Sequence, residues 1–144
     1  SNGKFVAPQV VESVIMANVP YISQVLVVGE GRPYVVAVVA LDPESLMKWG
    51  TNHGHPEMSY AELSQLPEIR ESIDGFMRRA NEHLGRSETV KRYAILDHEF
   101  SLDAEELTPS LKIRRDIVLT RYAHVVDALY AQQGRSDLTE EAEG

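Results

Sequence analysis

The side chains in this sequence best suited to chemistry are mostly charged groups, and the most suggestive is Lys112. It stands in Leu107-Thr108-Pro109-Ser110-Leu111-Lys112-Ile113-Arg114-Arg115, between a proline-marked turn and an apolar run. An ammonium on a flexible stem, presented where one element ends and another starts, is suited to meeting a phosphate or a carboxylate. Thr108 reads as an N-cap and Pro109 as a turn or first helical residue, with Ile113, Ile117 and Val118 opening an apolar face. The same pattern is also ordinary helix-start chemistry around a solvated lysine, so spacing alone makes Lys112 a candidate and no more. Gly3-Lys4 is a second lysine-bearing segment ahead of a helix, where the helix N-terminus favours negative charge. His53 and His55 lie two residues apart with no further ligands nearby, which reads as a loop pair and predicts no metal site. Asp103, Glu105 and Glu106 could pair for acid–base work, but their polar surroundings read as a capped turn. Arg78-Arg79 and Arg114-Arg115 are short basic patches able to touch anions.

The common self-sufficient sites are missing from the sequence. It has no G-x-x-x-x-G-K-[ST] loop, no G-x-G-x-x-G after a strand, no G-x-S-x-G elbow and no H-E-x-x-H. With no cysteine there is no disulfide framework, thiolate metal site or Cys nucleophile, a composition compatible with the cytoplasm. A formal charge of −8 and no Lys/Arg block longer than two argue against a nucleic-acid partner. No apolar run approaches membrane-spanning length and no signal peptide is visible. The chain opens without a methionine, which leads to the expectation that it is a piece of something larger.

The elements that must position these residues follow from periodicity. In 144 residues, 43% hydrophobic, one domain with its own core is expected. Pro8 to about Val19 reads as a short amphipathic helix with proline in its first turn. Tyr21 to Val28 and Tyr34 to Leu41 read as a hairpin around Gly29-Glu30-Gly31-Arg32-Pro33, and their near-continuous hydrophobicity requires helices on the sheet. Asp42 caps a helix through about Trp49, and Gly50 to Met58 is a loop. From Tyr60 to Leu84 apolar residues recur at helical intervals, with Pro67 dividing a short helix from a longer one. On the other face of that helix Arg70, Glu71, Asp74, Arg78, Arg79 and Glu82 read as solvated charges. Val90 to Phe100 holds a strand that joins the hairpin, and a single helix from Ile113 to Tyr130 closes the pattern with Ile113, Ile117, Val118, Tyr122, Val125 and Leu129 inward. The prediction is an α+β fold, a small β-sheet flanked by helices. The acidic stretch 135–144 is expected to be a flexible tail.

Both ends of the chain resemble one family, in the right order. The opening Ser1-Asn2-Gly3-Lys4-Phe5-Val6-Ala7-Pro8-Gln9-Val10-Val11-Glu12 is similar to the Gly-Lys-x-Val-Ala-Pro-x-x-Ile-Glu segment after the hinge of adenylate-forming (AMP-binding) enzymes, in its long-chain acyl-CoA synthetase version. Leu107 to Arg115 resembles the same family's Leu-Thr-Pro-Thr-Leu-Lys-hydrophobic-basic motif. Between them Tyr21-Ile22-Ser23-Gln24-Val25, Gly29-Glu30-Gly31-Arg32-Pro33-Tyr34 and the Trp49 helix are also similar to the long-chain group. Many relatives carry glycine before the lysine, whereas Leu111 stands in this sequence, as in the long-chain group, which narrows the subfamily.

The resemblance implies that residues 1–134 are the mobile C-terminal domain of a long-chain fatty-acid–CoA ligase. The large N-terminal domain, which would bind ATP, Mg2+ and the fatty acid, and the hinge residue would lie upstream of Ser1. In the implied reaction a carboxylate attacks the α-phosphate of ATP, releasing pyrophosphate, and the thiol of coenzyme A then displaces AMP. Lys112 would be the catalytic lysine of the first step. After rotation of the domain about the hinge, Gly3 would face the pantetheine arm of CoA, with Lys4 beside it and no firm role of its own. ATP and CoA are then substrates, the partner is the chain's own N-terminal domain, and the fragment alone is expected to be inactive. Peripheral contact of the intact enzyme with a membrane is compatible with this reading. Two rivals remain: another acyl-adenylating ligase with a different acceptor, and a stand-alone protein-interaction module.

Overall fold

The computed structural model describes residues 7–132 and Leu138. Helix α1 spans Pro8–Asn18, with proline at its first position, where the missing N–H costs no hydrogen bond. Strands β1 (Ile22–Val28) and β2 (Val35–Leu41) form the expected antiparallel hairpin. Gly31 takes φ +71 in the connecting turn, a conformation that a side chain would strain. Helix α2 (Pro43–Asn52) is capped by Asp42, whose carboxylate accepts the Ser45 amide at 2.9 Å. It runs past Trp49 and takes in Gly50, where a Cβ would come within 2.9 Å of Leu63. Pro67 divides α3 (Tyr60–Ser64) from α4 (Pro67–Asn81), as the periodicity predicts.

Strand β3 (Val90–Ile95) pairs with β2 in parallel, giving the sheet order β1-β2-β3. All seven residues of β2 are buried, because this central strand is covered on both faces. On one face Val25, Val27, Val35, Ala37 and Val39 meet apolar residues of α1, α2, α3 and α4. On the other, Leu26, Val36, Val38 and Ala40 meet Phe100, Leu107, Val118, Tyr122, Val126 and Leu129. The sequence expectation of a helix-flanked sheet is met, and the class is α+β.

Two further expectations need correction. The last helix is not continuous from Ile113: α5 covers Arg115–Arg121 and α6 covers Ala123–Ala131, with the break at Tyr122. An unbroken apolar stripe cannot report such a break, since Val118 of α5, Tyr122 at the break, and Val126 and Leu129 of α6 are all still buried. Nor is the charged side of α4 simply solvated. The Arg70 guanidinium lies 4.1 Å over the Tyr93 ring and donates to the Tyr93 carbonyl at 3.0 Å, while Asp74 accepts the Tyr93 hydroxyl. Burial raises the Tyr93 phenol far above its ordinary pKa, and its hydrogen bond to Asp74 adds to the shift.

Candidate active-site loop

Lys112 does not open a helix. It lies on the returning limb of a tight hairpin turn, three residues before α5. Leu107 and Ile113 form an antiparallel bridge, the Thr108 amide donates to the Lys112 carbonyl at 2.8 Å, and the Leu111 amide donates to the Thr108 carbonyl at 2.7 Å. Leu111 takes φ +68. A turn followed by one left-handed residue is the pattern of a three-residue hairpin loop, in which glycine is the usual left-handed residue. This explains physically why a glycine before the lysine suits this loop and what Leu111 costs in its place.

Thr108, expected to cap a helix, instead closes the loop across itself. Its hydroxyl accepts the Lys112 amide at 3.1 Å and shares a second hydrogen bond with Ser110 at 3.1 Å. The Lys112 side chain is exposed, and no carboxylate among the described residues pairs with it.

The outgoing limb is anchored by Glu106, only 3% exposed. Its carboxylate accepts the Ser101 amide at 2.8 Å, the Tyr122 hydroxyl at 2.9 Å and the Arg121 guanidinium at 3.1 Å, and its carbonyl accepts the Arg114 amide at 2.8 Å. Burial by itself pushes this carboxyl up. The three donors together outweigh burial and hold it below the ordinary value of 4.5. Tyr122 also meets His98 Nε2 at 2.8 Å. Glu106 is thus a structural carboxylate, in keeping with the turn reading rather than with acid–base work. His53 and His55 stack on Trp49, with His53 Nδ1 2.8 Å from the Trp49 carbonyl oxygen, and no group of three candidate metal ligands occurs among the described residues.

Glu12, left without a role by the sequence, and Arg115, read there only as part of a basic patch, join the two motif segments. Arg115 Nη2 donates to both carboxylate oxygens of Glu12, at 2.7 and 2.9 Å, across 103 residues. Glu12 also accepts the Val27 amide at 2.8 Å, and Arg115 reaches the Val27 carbonyl at 3.4 Å. The pair therefore satisfies an edge position of β1 while tying α1 to the start of α5. Both residues lie inside the two motif segments, which was the signal available in the sequence. A groove of about 870 Å³ runs between α1, β1 and the loop, with Met16, Gln24, Leu111 and Lys112 among its walls. Gly3 and Lys4 lie outside the described residues.

A hairpin-plus-one sheet with helices on both faces gives the fold, and comparison with known proteins gives the family. The sequence matches the family described as AMP-binding enzyme C-terminal domain over residues 1–134, and the chain belongs to that family. It is 32% identical over 134 residues to long-chain-fatty-acid–CoA ligase FadD15 of Mycobacterium tuberculosis, covering 92% of this chain and 22% of that protein. It is 30% identical over 134 residues to human long-chain-fatty-acid–CoA ligase 1, covering 91% of this chain and 19% of the relative. The chain thus spans about a fifth of these relatives' length. Among solved structures, the A-PCP didomain of a carboxylic acid reductase from Segniliparus rugosus, in complex with AMP, is similar with a TM-score of 0.67 at 25% identity. That match covers 88% of this chain and 16% of the other. No described helix is long and apolar enough to cross a membrane.

Proposed function

We propose that this chain is the C-terminal lid of a long-chain fatty-acid–CoA ligase and that Lys112 serves acyl-adenylate formation. The observation that carries the reading is the presentation of Lys112: an exposed ammonium, without a carboxylate partner among the described residues, on a turn whose backbone is hydrogen-bonded on both sides. The names of the fatty-acid–CoA ligases similar to it support the substrate class.

In the first step a fatty-acid carboxylate oxygen attacks the α-phosphorus of ATP and pyrophosphate leaves. Two anions must approach one another, and the Lys112 ammonium offsets their repulsion and stabilises the charge that develops at the phosphoryl oxygens. In the second step the CoA thiol attacks the acyl carbonyl and AMP leaves. There the domain rotates, Lys112 withdraws, and Gly3 admits the pantetheine arm close to the backbone, with Lys4 nearby. ATP, fatty acid and Mg2+ belong in this reading to the larger N-terminal domain of the same polypeptide. The magnesium would neutralise phosphate charge there. The isolated chain is then catalytically silent, and the intact enzyme works in the cytoplasm or at a membrane surface.

Lys112→Ala in the intact enzyme should abolish acyl-adenylate formation and spare thioester formation from supplied acyl-adenylate. Equal loss of both half-reactions would contradict the assignment. A second acceptor class has one observation in its favour, since one of the similar solved structures is an A-PCP didomain rather than a CoA ligase. Thioester formation measured with CoA and with a carrier protein in the intact enzyme separates the two.

A further inference from the structure

The hairpin register slips once, between Ile22 and Gln24 of β1, so that Ile22 faces Leu41 and Gln24 faces Ala40 with Ser23 as the extra residue. Such bulges on edge strands re-aim a side chain. The residue re-aimed is Gln24, whose Nε2 donates to the Leu111 carbonyl at 3.1 Å, 87 residues along the chain. Leu111 is the left-handed residue of the loop, and its carbonyl belongs to the peptide that ends in the Lys112 amide. That peptide is therefore gripped on both sides, by Gln24 at its oxygen and by the Thr108 hydroxyl at its nitrogen. Leu111 itself is 57% exposed, so packing of its side chain supplies little of the restraint.

We infer that Gln24 is a positioning residue for Lys112: the bulge in β1 aims its amide at the Leu111 carbonyl, and this contact holds the strained turn that directs the lysine. The inference rests on the adenylation role given to Lys112 above. A left-handed non-glycine residue persists only where its surroundings over-determine it. Without the Gln24 donor, Leu111 relaxes toward ordinary backbone angles, the Leu111–Lys112 peptide turns, and the ammonium leaves its productive position. In this role Gln24 acts through the Leu111–Lys112 peptide, so its loss lowers the rate of the first half-reaction and leaves KM for ATP unchanged.

The test uses the full-length enzyme with Gln24→Met and Gln24→Glu, which remove the donor at similar size, and Gln24→Lys, which keeps an N–H donor of similar reach. Expected for the first two is a fall of roughly 10- to 100-fold in the single-turnover rate of acyl-adenylate formation, the scale of an ångström-sized misplacement. KM for ATP and thioester formation from supplied acyl-adenylate should stay unchanged. Hydrogen exchange across residues 107–115 should quicken, and Gln24→Lys should recover most of the rate. Unchanged adenylation, an equal fall of both half-reactions, or unchanged exchange in that segment would each overturn the positioning role. Lys112→Ala is measured alongside: if it leaves adenylation intact, the role of Lys112 fails, while the exchange data still decide whether Gln24 holds the turn.

Discussion

At the scale of single residues, Leu111 carries the clearest strain next to the proposed chemistry. At φ +68 its Cβ crowds the backbone, a cost of roughly 1–2 kcal/mol that glycine would not bear. Glycine gives part of that back through the larger freedom of its unfolded state, about 0.5–1 kcal/mol. Leu111→Gly should therefore leave stability the same or raise it by about 1 kcal/mol. Leu111→Ile, with a branched Cβ in the same backbone, should lower it by about 1 kcal/mol. Urea unfolding of the two variants checks the sign of each. Because the side chain is mostly exposed, lost burial does not confuse the comparison. Lys112 was recognisable in the sequence as a candidate, but its setting was not, since Thr-Pro before an apolar run reads equally as a helix cap and as a hairpin turn. The turn that forms is closed by the hydrogen bond from the Thr108 amide to the Lys112 carbonyl and is met from outside by Gln24 at the Leu111 carbonyl.

Among elements, the Glu12–Arg115 pair is the joint between the segment after Gly3-Lys4 and the lysine loop. Both side chains are mostly buried, at 14% and 29% exposure, so each depends on the other to balance its charge. Glu12→Ala strands the Arg115 guanidinium and the edge amide of Val27, and should cost about 2–3 kcal/mol. A double-mutant cycle with Arg115→Ala should return a coupling larger than the 0.2–1 kcal/mol usual for exposed pairs. A coupling within that range would reduce the pair to ordinary surface charge. The joint also has a functional bearing under the proposed mechanism. Arg115 opens α5 three residues after Lys112, so α1 and the base of the lysine loop are held together as one unit. The helices and strands themselves followed from hydrophobic period and proline placement, including the division of α3 from α4 at Pro67. The break at Tyr122 escaped, because there the interruption leaves the inward stripe unaltered.

For the molecule as a whole, pH should bound stability from both sides. Glu106 has its folded pKa depressed below 4.5, so it stabilises the fold above that pH. Its contribution is lost as pH falls below 4.5 through the lower folded value. Glu106→Gln should flatten the acid limb of a stability–pH curve and cost stability at neutral pH. On the alkaline side, burial pushes the Tyr60 and Tyr130 phenols up from 10.0 to about 12. Groups raised in this way stabilise fully below pH 10, and their contribution is lost as pH rises from 10 toward 12. Urea midpoints measured across pH 3 to 12 check both limbs, and an acid limb unchanged by Glu106→Gln would refute the first.

By itself the sequence determined the class of fold and the lysine to look at. Apolar period, proline position and net charge are local or compositional quantities, and the two motif segments can be read without knowing where they meet. Only the tertiary structure decided what holds Lys112. Glu12 meets Arg115 across 103 residues and Gln24 meets Leu111 across 87. Neither partner is visible in any local pattern, because a hydrogen bond between distant segments depends on strand register and helix docking. A one-residue bulge at Ser23 was enough to set which side chain of β1 reaches the loop.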